Sequence, residues 1–253
     1  MNHFDKGIEC YNRRDFRNAD FYFKKALVEK GMDAETLDYL ARCRLMLGDS
    51  RGALELFDQT MKMRPTWENP YAGKARVYAH RGKNEEAEAM ARRALMLNAE
   101  SADSWSVLAY VCERTMRLKE AKSCYLRAIE LDPRLEEAHV HLSVVYYQLG
   151  EPYSKCLEQL ERALDLNPQS TDALFNKGLI NKDLRRYGAS KAAFEKLLAI
   201  DPEDREANLE LAELYKRDRQ YEKAQQCMAR ARERRSDDGR VGARSQDRGK
   251  TDR

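Results

Sequence analysis

Histidines and paired acidic residues are the side chains of this sequence that could do metal or acid–base chemistry, and their spacing argues against both. His139 and His141 lie two positions apart, so on a helix they point in different directions and make a poor metal site. Glu85 and Glu86 come at the start of a predicted helix, where carboxylates complement the helix dipole. No Gly-rich phosphate loop and no HExxH motif occurs. We therefore expect no enzyme active site, no metal and no cofactor.

The cysteines offer no second route to a metal or redox site. Their six positions are Cys10, Cys43, Cys112, Cys124, Cys156 and Cys227. They form no CxxC pair, and their spacing predicts neither a zinc site nor a disulfide framework. All six fall inside predicted helices. We therefore expect these cysteines to act as small buried hydrophobic residues in a reducing compartment. A redox-active or palmitoylated cysteine is the alternative.

The charge of the chain is balanced over most of its length. The net charge is +3, and residues 232–253 hold eight Lys/Arg against five Asp/Glu, so residues 1–231 are neutral by count. A nucleic-acid surface would need a basic excess on the folded part, so we expect no nucleic-acid partner. No apolar run of 18 residues and no signal-peptide h-region occurs, so we expect a cytoplasmic chain without a membrane span.

The helices that would position any site recur at a fixed interval. The closing position of each repeat is occupied by Gly31, Pro65, Ala99, Pro133, Pro168, Pro202 and Ser236. The steps between them are 34 residues except for one of 35, whose extra residue we place in the turn at residues 150–154. Seven repeats follow, over residues 1–33, 34–67, 68–101, 102–135, 136–170, 171–204 and 205–238. Each is predicted to hold a helix A, a turn and a helix B, which proline helps to end.

Small residues mark the positions where neighbouring helices should cross closely. In helix A they are Gly7, Ala41, Ala75, Ala109, Ser143, Gly178 and Ala212. Early in helix B they are Ala19, Ala53, Ala87, Ala121, Cys156, Ser190 and Ala224. Late in helix B they are Ala26, Thr60, Ala94, Ala128, Ala163, Leu197 and Ala231, of which only Leu197 is bulky. Small side chains let helix axes approach while larger residues between them fill the grooves.

One stretch carries the fullest pattern and resembles a known repeat. From Trp105 to Pro133 the sequence reads WSVLAYVCERTMRLKEAKSCYLRAIELDP, with Trp, Leu, Ala, Ala, Tyr, Ala and Pro at offsets 0, 3, 4, 16, 20, 23 and 28. This resembles the tetratricopeptide repeat, a helix–turn–helix of 34 residues. The resemblance covers residues 1–236. It implies an all-α, right-handed superhelical solenoid of antiparallel helix pairs that binds proteins.

The same resemblance implies that helix A lines a concave wall where a partner binds. The residues assigned to that wall are Tyr39, Arg42, Arg76, His80, Tyr110, Arg114, His141, Tyr147, Phe175 and Asn176. Aromatic and arginine side chains are enriched in binding hot spots, so we expect an extended or helical segment of another protein there. The arginines suggest a partly acidic segment. The alternative for any single aromatic residue is that it fills a gap between adjacent helices.

The sequence lacks the binding motifs of two well-known subclasses of the family. The carboxylate clamp that grips the acidic C-terminus of heat-shock chaperones needs Lys and Asn at set positions of helix A. Lys177 and Asn181 have that spacing in the wrong phase. The asparagine ladder of the O-linked N-acetylglucosamine transferase is absent too, since only Asn176 occupies its position.

The leading hypothesis is a non-enzymatic protein-interaction scaffold or adaptor. One alternative is a scaffold that self-assembles into homo-oligomers by stacking end to end, and another is an RNA-binding helical repeat protein. Residues 239–253 form an Arg-rich tail whose largest aliphatic residue is Val241. We expect this tail to be disordered, because it cannot bury enough apolar surface to offset its ordering entropy.

Overall fold

The structure, a computed structural model, describes residues 2–233, and every regular element in that range is a helix. The helices are α1 (His3–Asn12), α2 (Phe16–Lys30), α3 (Ala34–Met46), α4 (Ser50–Met63), α5 (Asn69–His80), α6 (Asn84–Leu97), α7 (Ala102–Arg114), α8 (Leu118–Leu131), α9 (Glu136–Gln148), α10 (Tyr153–Leu166), α11 (Thr171–Asp183), α12 (Tyr187–Ile200), α13 (Arg205–Arg217) and α14 (Tyr221–Glu233). The all-α prediction is confirmed. The expected tail over residues 239–253 lies outside the described residues.

The helices follow one another in pairs, and each odd-numbered helix packs against the helix that follows it. We call the first member of each pair helix A and the second helix B. The helices form two compact units. Unit 1 runs from Met1 to Asp132 and holds α1–α8, whereas unit 2 begins at Pro133 and holds α9–α14.

The small-residue positions expected from the sequence lie in the core of each unit. Every one of the residues at these three positions is buried. Large side chains between them are fully buried as well, among them Phe23, Phe57 and Tyr125 in unit 1 and Phe194 in unit 2. The pattern therefore allows the helices to pack closely, because small residues at the crossings leave room for large ones beside them.

Every turn from helix A to helix B is built in the same way. A residue with φ between 58° and 83° follows helix A, at Arg14, Gly48, Gly82, Met116, Gly150, Arg185 and Arg219. The next backbone N–H donates to a carbonyl five residues earlier, as from Asp49 to Arg44 and from Arg117 to Cys112, both at 2.8 Å. This is the Schellman motif, which satisfies carbonyls left over at a helix end. The turn after α9 is one residue longer than the other six, where the sequence placed the extra residue.

Candidate functional site

The helix-A surface of unit 1 carries a chain of ion pairs. Arg42 on α3 donates from Nε to Asp38 Oδ2 at 2.8 Å and from Nη1 to Asp103 Oδ2 at 3.2 Å. Arg76 on α5 donates from Nη2 to the other oxygen of Asp103 at 3.0 Å. Asp103 lies on α7, so one carboxylate joins three successive helices A of this unit.

These contacts change the interpretation of the two arginines. Burial opposes the charge of Arg42, but Asp38 and Asp103 outweigh it and hold the pKa of Arg42 well above its usual value. Burial also raises the pKa of Asp38, against the lowering effect of Arg42. From the sequence, Arg42 and Arg76 were expected to face a partly acidic partner segment. The structure gives both of them acidic neighbours within unit 1.

The other residues assigned to unit 1 divide into packed and exposed side chains. Tyr39 lies among aromatic rings, with its centroid 5.4 Å from both Phe23 and Tyr11. His80 and Tyr110 meet edge to face at 5.7 Å, and both are half-buried. Arg114, at the end of α7, is exposed. Tyr39 is half-buried and packs against the rings of Phe23 and Tyr11 within unit 1.

Unit 2 contains an open crevice between two helices A. It lies between α9 and α11. The lining residues are Ser143, Val144, Tyr147, Asn176, Leu179 and Ile180. The structure thus brings Tyr147 and Asn176 together, as two of the residues assigned to the wall. The Tyr147 hydroxyl donates to Asp183 Oδ2 at 2.7 Å, at the end of α11.

The remaining assigned residues of unit 2 are buried. Phe175 is 5 % exposed and packs edge to face on Phe194, with the ring centroids 5.7 Å apart. His141 is 5 % exposed, with Nε2 4.0 Å from Glu137. Its neighbour His139 uses both ring nitrogens elsewhere, at 2.8 Å from Gln159 and 3.0 Å from the Pro133 carbonyl. Phe175 is therefore a core residue, and the two histidines diverge as the helical spacing predicts.

Acidic residues also lie on α11 and α13. Lys182 sits between two of them, with Nζ 2.5 Å from both Glu210 and Glu213. Burial works against the charge on Lys182, but these two hydrogen bonds raise its pKa overall. Lys177, the other lysine of α11, pairs with Glu161 at 2.7 Å.

Among the described residues, one serine and two cysteines that could act as nucleophiles lie in surroundings that do not favour this role. Residues 48–52 carry the letters GxSxG, which mark serine hydrolases when the serine joins a strand to a helix. Here Ser50 starts α4 directly after the turn from α3, so it joins two helices. Burial raises the pKa of Cys43 to about 12 and that of Cys156 to about 11, which suppresses their reactive thiolates.

Some contacts of the candidate site were visible in the sequence and others were not. Asp38 lies four residues before Arg42, a spacing that brings the two together on any helix. Asp103 lies 61 residues after Arg42, and no local pattern connects them. Asp183 as the partner of Tyr147, 36 residues away, was missed for the same reason. Within residues 2–233, no helix is long and apolar enough to cross a membrane.

Comparison with protein families gives a consistent result. Three profiles described as "Tetratricopeptide repeat" match the chain, over residues 102–135, 142–205 and 183–244. Together they cover more than half of the sequence.

Three curated proteins illustrate the sequence similarity. The anaphase-promoting complex subunit 3 of Schizosaccharomyces pombe is 24% identical over 211 residues, covering 79% of this chain and 32% of that protein. The type IV pilus assembly protein PilF of Pseudomonas aeruginosa is 29% identical over 152 residues, covering 59% and 60%. The human protein O-mannosyl-transferase TMTC3 is 27% identical over 133 residues, covering 52% and 14%. The chain thus spans less than two thirds of each of these proteins.

Solved structures show the same fold. The structure of Pseudomonas aeruginosa PilF aligns with a TM-score of 0.63 and 25% identity, over 68% of this chain and 78% of that one. The hetero-tetramer Cut9–Hcn1 of the anaphase-promoting complex aligns with a TM-score of 0.74 and 17% identity, over 85% and 42%. At that identity the second comparison supports the helical solenoid fold alone.

Proposed function

Because the chain belongs to the tetratricopeptide repeat family, we propose that it is a non-enzymatic scaffold or adaptor that binds a segment of a partner protein on its helix-A surfaces. Two of its relatives carry names of the same kind, as a subunit of a complex and as an assembly protein. The chain matches only part of each. Their partners therefore do not carry over to it.

The observation that supports this proposal most is the crevice between α9 and α11. It is open at the surface, and its lining is almost entirely apolar, with Val144, Leu179 and Ile180 beside Tyr147 and Asn176. The buried core of a protein-binding interface is likewise more apolar than the rest of a protein surface. The neutral charge of residues 1–231 favours a protein over a nucleic acid as the partner.

An enzymatic role has only weak support from the comparisons. TMTC3 is named as a transferase, but the match covers 14% of that protein. The candidate site of this chain contains ion pairs that neutralise one another and histidines that diverge, neither of which suits general acid–base chemistry. We therefore propose that the chain binds and does not catalyse.

Site-specific photo-cross-linking tests this function. Benzoylphenylalanine replaces Tyr147 on α9 in one variant and Leu166 on α10, an exposed helix-B residue, in a matched control. After irradiation in native extract, we expect partner cross-links from position 147 and none from position 166. Mass spectrometry identifies the captured protein. Cross-links from position 166 alone, or equal yields from both, would contradict binding on the helix-A surface.

A further inference from the structure

We propose that Cys112 and Cys124 form a reversible oxidation site, at which a peroxide converts the two thiols into a disulfide that ties α7 to α8. Both cysteines lie in unit 1, and both are free thiols in the structure. The inference goes beyond the proposed function, because it concerns a covalent modification of the helix core and not the partner.

The two thiols meet inside one helix pair. The Cys112 thiol on α7 hydrogen-bonds to the sulfur of Cys124 on α8. The next residue of each helix makes a contact as well, since the Tyr125 hydroxyl donates to Glu113 at 2.9 Å. A disulfide requires its two sulfurs to approach to about 2.05 Å, so thiols already in contact are a suitable starting arrangement. Eleven residues separate the two cysteines in the sequence, and no local motif connects them.

The surroundings of the two cysteines assign them different roles. Cys124 retains 5 % exposure, whereas Cys112 is fully buried. The hydrogen bond from Cys112 lowers the pKa of Cys124 although burial opposes this, and the same bond, together with burial, raises the pKa of Cys112. Since the thiolate is the reactive form, Cys124 is the thiol that attacks the oxidant and Cys112 is the thiol that resolves the product.

A cluster of ion pairs holds cationic groups beside Cys124. Arg92 and Arg117 both lower the pKa of this thiol, against an opposing effect of Glu120. Arg117 is fixed by Glu88 at 2.6 Å and by Glu120 at 3.2 Å, and Arg92 lies 3.1 Å from Glu120. Guanidinium groups held close to a thiol favour its thiolate.

Other buried cysteines lack this arrangement. Burial is the largest cause of the raised pKa of Cys43, Cys156 and Cys227, and none of the three shifts has a second cysteine among its causes. A thiol of this kind reacts slowly with an oxidant, because little of it is ionised. The pair of α7 and α8 therefore differs from these three in both reactivity and the presence of a resolving thiol.

The reaction balances with hydrogen peroxide as the oxidant. The Cys124 thiolate attacks one peroxide oxygen, the O–O bond breaks, and the departing hydroxide takes up the thiol proton to become water. The Cys112 sulfur then attacks the resulting sulfenic acid, so that the S–S bond forms, the S–O bond breaks and a second water leaves with the Cys112 proton. The two thiols lose two electrons and two protons, and the peroxide is reduced to two waters. A small dithiol reverses the modification by thiol–disulfide exchange.

Peptide mapping of the full chain tests the site. The reduced protein is treated with a slight excess of hydrogen peroxide, its remaining thiols are blocked with N-ethylmaleimide, and trypsin is added. Residues 94–114 and 123–127 form two tryptic peptides, each with one of the two cysteines. We expect these two peptides to be disulfide-linked in about tenfold greater yield than any other pair, and to separate after treatment with dithiothreitol.

The melting temperature measures the consequence of the modification. The disulfide closes a short loop that contains the turn between α7 and α8, which restricts the unfolded chain. We expect oxidation to raise the melting temperature by about 5 °C or more. The increase should disappear when dithiothreitol is added.

Three variants test the assigned roles. Cys112→Ser removes the resolving thiol, so we expect the sulfenic acid to accumulate on Cys124 and its labelling by dimedone to rise about fivefold or more over the parent. Cys124→Ser removes the attacking thiol and is expected to leave Cys112 unlabelled. Cys43→Ser removes another buried cysteine of unit 1 and is expected to keep both the disulfide and the melting shift. Circular dichroism checks that each variant is folded.

Several outcomes would overturn the inference. They are the absence of the 112–124 disulfide, an equal yield of other cysteine pairs, a dimer linked between two chains, or an unchanged melting temperature after oxidation. Dimedone labelling of Cys112 in the Cys124→Ser variant would contradict the assigned roles. An equal yield of the 112–124 disulfide from protein unfolded in urea would show that the fold does not bring the two thiols together.

Discussion

The packing around Gly178 restricts which residue type fits at that position. A Cβ built on it would come 2.6 Å from Cζ of Phe194, whose ring is fully buried. Alanine is preferred over glycine inside a helix by about 1 kcal/mol. Overpacking a core costs about 1–3 kcal/mol, so the clash should win. We expect Gly178→Ala to lower the free energy of unfolding by about 1 kcal/mol, measured by chemical denaturation.

Gly188 provides the matched control for this substitution. It lies in the first turn of α12, and a Cβ built there would meet nothing within 4 Å. Gly188→Ala is therefore expected to leave stability unchanged or to raise it by up to about 1 kcal/mol. If the two variants had the same denaturation midpoint, the close packing of Gly178 against Phe194 would be refuted.

The same residue shows what the sequence could predict at this scale. Gly178 was assigned to a small-residue position because of its phase in the repeat, and it is buried there. The partners of charged residues were harder to predict. Asp103 binds Arg42 and Arg76 from another helix, a contact that depends on how α3, α5 and α7 pack rather than on any local spacing. Phase within a repeat thus predicts burial, whereas long-range pairing requires the structure.

At the scale of the elements, the turns after helix A carry a measurable conformational cost. Gly82 has φ 73°, and a Cβ built on it would meet nothing within 4 Å, so steric contact with other residues plays no part. A left-handed backbone costs an L-residue about 1–2 kcal/mol, partly offset by lower entropy of the unfolded chain. We expect Gly82→Ala to reduce the free energy of unfolding by about 1 kcal/mol.

Met116 occupies the equivalent position in the turn between α7 and α8. Its replacement by glycine is the reverse test of the cost of a left-handed backbone. Its φ is 59° and its side chain is 63 % exposed, so removing that side chain loses little packing. Met116→Gly should raise the free energy of unfolding by a few tenths of a kcal/mol, since glycine has no left-handed penalty but greater unfolded-state entropy. Thermal and urea denaturation of both variants provide the measurement. A loss of stability in both would rule out backbone strain as the cause.

The elements were largely predictable, and their turns only in part. Gly48, Gly82 and Gly150 signal a left-handed turn from the sequence, because glycine adopts that conformation readily. Met116 and Arg185 carry no such signal, yet the same Schellman hydrogen bonds form there. The repeat imposes the turn geometry even where the residue type does not favour it. Helix pairing was accordingly easier to predict than turn conformation.

At the scale of the whole molecule, the repeat pattern predicts one array of seven repeats, and its interval continues through Asp132 and Pro133, where unit 1 ends and unit 2 begins. The pattern predicted the type of fold and carries no signal for the boundary between the units. The crevice of unit 2 was not predictable as a cavity either, because it depends on the spacing of α9 and α11.

The division predicts that residues 1–132 fold by themselves. Within this unit, the extensive helix contacts join each helix to the next or the next but one, and its four helix pairs exceed the three repeats that a solenoid usually needs. We expect the isolated fragment to be helical and to unfold cooperatively, as measured by circular dichroism with urea.

A fragment ending at residue 116 provides the control, because it cuts between α7 and α8 rather than between pairs. It removes Tyr125, which is fully buried and donates its hydroxyl to Glu113 at 2.9 Å, and it uncovers the face of α7 that α8 protects. We expect this shorter fragment to unfold at a clearly lower urea concentration, with its α7 amides exchanging fastest. If the 1–132 fragment lacked a cooperative transition, its core would depend on residues beyond Asp132, and the unit would not be a folding unit. If the two fragments were equally stable, α8 would contribute nothing to the core of unit 1, against the burial of Tyr125.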